Sequence, residues 1–143
     1  MVTRIRRAVV AVALALLMAT ALAGAAWAAT LVGTAGDNHL TGTPEKDEIY
    51  GLAGGDAIDG RGKADDLHGG RGIDEILGRS GNDYLVGGRG YDELNGHNGN
   101  DRIEAADGKI DTIDCGPGDA DRVSIDEKDF IRSCEIVTRV TVE

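Results

Sequence analysis

From Gly33 to Glu104 the chain divides into nine-residue units without a slip. The units begin at Gly33, Gly42, Gly51, Gly60, Gly69, Gly78, Gly87 and Gly96. The sixth position reads Asn38, Asp47, Asp56, Asp65, Asp74, Asp83, Asp92 and Asp101, and the eighth reads Leu40, Ile49, Ile58, Leu67, Ile76, Leu85, Leu94 and Ile103. The fourth position is glycine except at Glu45 and Lys63. Glycine-rich stretches make tight turns and accept left-handed backbone. The three residues after each acid form a short strand, with the middle side chain inward and its flanks outward. Turn plus strand reverses the chain once, so two units make one coil. GGRGIDEIL (Gly69 to Leu77) and GGRGYDELN (Gly87 to Asn95) therefore stack, while GRSGNDYLV (Gly78 to Val86) forms the opposite wall.

Composition narrows what such a coil can do. A chain of 143 residues suits one domain, and 3% aromatic residues with 22 glycines exclude a core of large side chains. The formal net charge of −10 argues against nucleic-acid backbones and anionic membranes as partners. An acidic, glycine-rich chain either stays disordered or recruits cations.

The first residues read as an export address. Arg4, Arg6 and Arg7 precede an uncharged apolar run from Ala8 to about Ala23, and Ala26-Trp27-Ala28 supplies small residues for a signal peptidase. Residues 1–28 are expected to be a signal peptide, removed after Ala28, and the protein to be secreted; a retained membrane anchor is the alternative. The processed chain carries 12 basic and 25 acidic residues, a net of −13. Cys115 and Cys134 are its two cysteines, and in an oxidising compartment they most simply pair. On the loop-entropy model that bridge stabilises the fold by ~3 kcal/mol. The alternative is a metal or redox pair, for which this spacing offers nothing.

The repeat G-G-x-G-x-D-x-U-x resembles the calcium-binding nonapeptide of RTX (haemolysin-type) proteins, well over 33–104 and loosely to about Val123. That resemblance implies an all-β parallel β-roll, a two-sided solenoid with 18 residues per coil. It implies several Ca²⁺ ions between stacked turns, held by sixth-position carboxylates and turn carbonyls. Asp56, Asp74 and Asp92, with Asn38 at the start, would line one edge; Asp47, Asp65, Asp83 and Asp101 would line the other. Asp111 against Asp92 offers a further, poorer site. The chemistry agrees, since Ca²⁺ takes six to eight oxygens in flexible geometry. The bland alternative is that each aspartate caps its own turn. Pro44 and Lys63 spoil the second and fourth units, so the Asp47–Asp65 pair is expected to be the weakest site and Asp74–Asp92 the best. Without the ion the repeat is expected to be largely disordered.

The expected division is 1–28 signal peptide, 29–114 β-roll and 115–143 a disulfide-tied cap, with Val123, Ile125, Phe130, Ile131, Ile136 and Val140 covering the open end. The chain holds neither G-x-S-x-G nor H-E-x-x-H, and His39, His68 and His97 share no column, so an enzyme is not expected. The alternative to a plain calcium binder is a surface or matrix adhesion module. In it Tyr50, Tyr84, Tyr91, Leu77 and Val86 would meet a protein or polysaccharide. Once the signal is removed, no membrane contact is expected.

Overall fold

The computed structural model describes residues 27–142, and all but the last two residues of the expected signal peptide lie outside that range. Thirteen strands follow in order: β1 (Thr30–Val32), β2 (His39–Thr41), β3 (Glu48–Ala53), β4 (Ala57–Asp59), β5 (Asp66–Gly72), β6 (Glu75–Ser80), β7 (Tyr84–Gly90), β8 (Glu93–Asn98), β9 (Arg102–Glu104), β10 (Thr112–Asp114), β11 (Arg122–Ile125), β12 (Phe130–Arg132) and β13 (Ile136–Arg139). Odd-numbered strands make one sheet in chain order and even-numbered strands make the other. Every pairing between these strands is parallel. The result is an all-β, two-sided solenoid of about six turns with about 18 residues per turn, and no helix among the described residues.

The eighth-position aliphatics build the core as two facing columns. Leu31, Ile49, Leu67, Leu85, Ile103, Val123 and Val137 align through the odd sheet. Leu40, Ile58, Ile76, Leu94, Ile113 and Ile131 align through the even sheet. From Ile49 to Val123 these residues are at most 2% exposed. Each coil thus buries one aliphatic per wall, a core far too thin to tolerate a slipped register.

Several strands run longer than the three residues the pattern predicts. In β5 and β7 the ladder continues through the turn, pairing Gly70 with Gly88, Arg71 with Arg89 and Gly72 with Gly90. Gly88 has a φ of 108° and lies against the Gly70 backbone, so only a residue without Cβ lets the two turns stack so closely.

The first-position glycines have a different cause. A Cβ on Gly69 would stand 2.5 Å from Asp74 Oδ2 and 2.6 Å from the Gly87 carbonyl oxygen of the next coil. The glycine column makes room for the acid column. On the opposite edge Cys115 takes this position, its carbonyl oxygen lying where a Cβ on Gly96 would stand. There the segment from Cys115 to Asp121 is one residue longer than Gly96 to Asp101.

Beyond Glu104 the coil length varies, but both sheets continue. Ile103 pairs with Val123, Ile113 with Ile131, and Val123 with Val137, so 115–143 carries the same architecture onward through β11, β12 and β13. The side chains expected to cover the end divide accordingly. Val123 and Ile125 are buried, whereas Phe130, Ile136 and Val140 are 66%, 44% and 40% exposed. Phe130 and Ile136 begin their strands, immediately before the inward Ile131 and Val137, and flanking positions point outward. Cys115 and Cys134 form a disulfide with Cα atoms 5.2 Å apart, tying the last short coil to the turn before it.

Substitution of Gly69 by alanine is expected to destabilise the calcium-loaded protein by about 3 kcal/mol, the cost of overpacking against backbone and a carboxylate. Gly36→Ala, where a Cβ meets open space, should change stability by less than about 0.5 kcal/mol. Urea unfolding of both variants checks this; equal losses would contradict the steric account.

Candidate functional site

Each sixth-position acid is held by the coil that precedes it. The backbone N–H of Asp56 donates to Asp74 Oδ1, and that of Asp74 to Asp92 Oδ1, at 2.8 and 2.9 Å. On the other edge Asp47, Asp65 and Asp83 donate to Asp65, Asp83 and Asp101 in turn, all at 2.8 Å. Asn38 opens the first edge by donating to Asp56. The carbonyl of each acid also accepts from the residue after the next acid, as with Glu75 N–H to the Asp56 carbonyl at 2.8 Å. Two backbone bonds per turn therefore fix every carboxylate in an inward column at the sheet edge.

The fixed carboxylates are only half satisfied. Oδ2 of Asp56, Asp65, Asp74, Asp83, Asp92, Asp101, Asp111 and Asp121 is buried and has no hydrogen-bond partner. These residues are at most 3% exposed. A buried anionic oxygen without a donor is costly, and a protein resolves it with a proton or a cation. Burial, joined by the charges of neighbouring aspartates, pushes Asp65 and Asp111 up to about 7 and Asp74 and Asp101 to about 6. Burial also raises Asp83 to about 6 and moves Asp56, Asp92 and Asp121 upward. Among the described residues no three His, Cys, Asp or Glu side chains converge. A cation here would complete its shell with backbone carbonyls. Evenly spaced, oxygen-only donors suit a hard ion of flexible coordination, and the residues present fit calcium.

Asp47 is the exception on these edges. Thr43 donates its N–H to Asp47 Oδ2 at 2.5 Å and its hydroxyl lies 2.9 and 3.1 Å from the two carboxylate oxygens, so neither oxygen is orphaned. Across the same rung Lys63 forms an ion pair with Glu45, the two residues that replace the fourth-position glycine.

The columns run past the repeats that sequence alone defines. Asp92 N–H donates to Asp111 Oδ1, Asp111 to Asp129 Oδ1, and Asp101 to Asp121 Oδ1 at 2.8, 3.0 and 2.7 Å. Asp121 in turn donates to Glu135 Oε2 at 3.0 Å. Asp121 is the residue that strict nine-residue counting leaves out of the ligand set. The surviving signal is the acid two places before an inward aliphatic, Asp121 before Val123.

The aromatic and histidine residues lie elsewhere. His68 stacks on Tyr50 with ring centres 4.8 Å apart, meets Tyr84 edge-on, and has Nε2 2.7 Å from the Asp66 carboxylate. Arg102 sits 5.1 Å from the Tyr84 ring centre. This is packing between strand flanks on an outer face.

The family model of the RTX calcium-binding nonapeptide repeat (4 copies) matches residues 32–62, 59–94 and 77–109, which together span more than half of the chain. Comparison with curated proteins and with solved structures gives no match.

Without metal, these raised carboxylates bind protons more tightly in the folded chain than in the unfolded one, where aspartate titrates near 3.9. Their stabilisation is full below that value and is lost as pH rises through about 6 to 7, where Asp74, Asp83, Asp101, Asp65 and Asp111 ionise. The strand circular dichroism of chelated protein is therefore expected to fall between about pH 5 and about pH 7.5. A signal that holds level or rises across that window would contradict the burial of these groups.

Proposed function

The chain belongs to the RTX calcium-binding nonapeptide repeat family, and from that premise we propose that it is an exported calcium-binding β-roll whose folding is coupled to the ion. The observation that carries this reading is the row of buried carboxylate oxygens without donors on both edges. Calcium, when bound, supplies positive charge and a coordination shell that accepts carboxylate and carbonyl oxygens together.

The ligand carboxylates proposed are Asp56, Asp74, Asp92 and Asp111 on one edge, with Asn38 at its start, and Asp65, Asp83, Asp101 and Asp121 on the other. Asp47 stands apart, because Thr43 already serves both of its oxygens. The backbone latch from one acid to the next presents each carboxylate at a set depth. The glycines ahead of it keep Cβ atoms out of that space. At neutral pH the columns of ionised aspartates repel, and one buried aliphatic per wall is too little to hold the coils against that. Binding free energy then becomes folding free energy.

The role is binding and not catalysis. Export rests on the basic head, the apolar run and Ala26-Trp27-Ala28. The cystine at Cys115 and Cys134 suits an oxidising destination. In the proposed division residues 29–114 are the repeat roll and 115–143 its disulfide-tied closing segment. An adhesion role has one observation in its favour: Ile73, Tyr91 and Ile110, 67%, 53% and 44% exposed, lie in successive turns of one edge. A partner retained from extracellular material in calcium and released by chelator would support that role.

Calcium titration of chelated protein at pH 7.5 is expected to produce strand circular dichroism cooperatively, with magnesium a poor substitute. Identical strand-rich spectra with chelator and with calcium would refute the coupling. Calorimetric counting is expected to show that Asp74→Ala lowers the number of bound ions more than Asp47→Ala does. Equal losses would overturn the special status of Asp47.

A further inference from the structure

The edge that carries Asp47, Asp65, Asp83 and Asp101 begins on a rung unlike those after it. Ala29 N donates to Asp47 Oδ1 at 2.6 Å, and the Ala29 carbonyl accepts from Glu48 N–H at 2.9 Å. This is the same double latch that joins each acid to the next, so Ala29 occupies the acid's place in the first half-coil. Strand β1 starts at the following residue, while Trp27, two residues earlier, is 75% exposed. Independently, Ala26-Trp27-Ala28 places the export cleavage after Ala28. A processing signal and the first latched residue of the roll meet at one peptide bond.

We propose that cleavage of the Ala28–Ala29 bond installs a covalently held cation on the first rung: the new α-ammonium of Ala29, seated against buried Asp47. In the hydrolysis the C–N bond breaks. The hydroxyl of water joins the Ala28 carbonyl carbon, and its proton passes to the Ala29 nitrogen. That nitrogen also takes the proton of the new carboxyl. Ala28 leaves as carboxylate and Ala29 becomes an ammonium with three donors where the amide had one. An α-amino group titrates near 8 and is mostly protonated at neutral pH.

The inference rests on the export reading above and goes beyond it. Asp47 is 1% exposed, and its oxygens are served by Ala29 and Thr43. Neutral donors satisfy hydrogen bonding but leave the charge of a buried carboxylate uncompensated, and a charged donor bonds about twice as strongly. Lys63 is engaged with Glu45 on the outside of the same rung. The ammonium thus does at the first turn what metal ions are proposed to do at later ones. The roll gains a metal-independent first rung only after its leader is gone, so folding is favoured after export rather than before it.

The test uses the full chain expressed with its own leader in a secreting host. N-terminal sequencing of the product is expected to read from Ala29. A second chain carries one glycine inserted between Ala28 and Ala29. There the Ala29 N–H remains but the ammonium moves one residue outward. In saturating calcium, urea unfolding should show the folding constant lowered about tenfold by the insertion and about tenfold by Asp47→Asn, with no further loss in the combined variant. An insertion variant as stable as its parent, or losses that add in full, would overturn the proposal. A product beginning elsewhere than Ala29 would overturn it through the export premise while leaving calcium binding intact. A parent whose stability ignores calcium would instead sink the calcium reading alone.

Discussion

One buried oxygen per half-coil governs this molecule. Every inward aspartate from Asp56 to Asp121 has Oδ1 engaged by the previous coil and Oδ2 left without a donor. The latch that makes the carboxylates regular also prevents them from turning away to solvent. Placing an anion this deep without a partner is unfavourable by any scale of burial. The fold is therefore consistent only with something positive or a proton at each rung.

That requirement explains features which otherwise look unrelated. First-position glycine is constant because a Cβ there would occupy the same volume as the acid and the next coil's carbonyl. The 18-residue coil is regular where the acids are regular, and it varies only past Glu104, where Glu135 on its longer side chain takes the place of an aspartate. The two ends of the edge that runs from Asp47 to Asp121 are closed by means other than a glycine–aspartate turn. Thr43 and Ala29 surround Asp47 at one end, and the Cys115–Cys134 bridge holds Glu135 near Asp121 at the other. A solenoid has exposed rungs at both ends, and these are the places where a purely metal-dependent lattice would fray first.

Much of this was legible in the residues because the period is strict over Gly33 to Glu104. Two columns separated by two places fix both the inward aliphatic and the inward acid. The register of Ile49 on Leu67 or Ile76 on Leu94 follows from counting. What counting misses has local causes. The insertion in the turn after Cys115 puts Asp121 one residue out of strict count, and the shortened last coil conceals Glu135, although both complete their column in space. The capture of Asp47 by Thr43 depends on a turn geometry that one threonine before Pro44 does not announce. The outward facing of Phe130 and Ile136 follows from strand parity, which becomes certain only once Ile131 and Val137 are seen to carry the columns onward.

The central claim is that these latches close only when the orphan oxygens are neutralised. Amide hydrogen exchange at pH 7.5, read residue by residue by NMR, tests it most directly at the N–H groups of Asp56, Asp74 and Asp92, each of which donates to the next acid in its column. With calcium they should exchange slowly as one cooperative block, and in chelator as fast as in an unfolded chain. Slow exchange at those three amides in chelator would show that the columns stand without cations, and the account would fail.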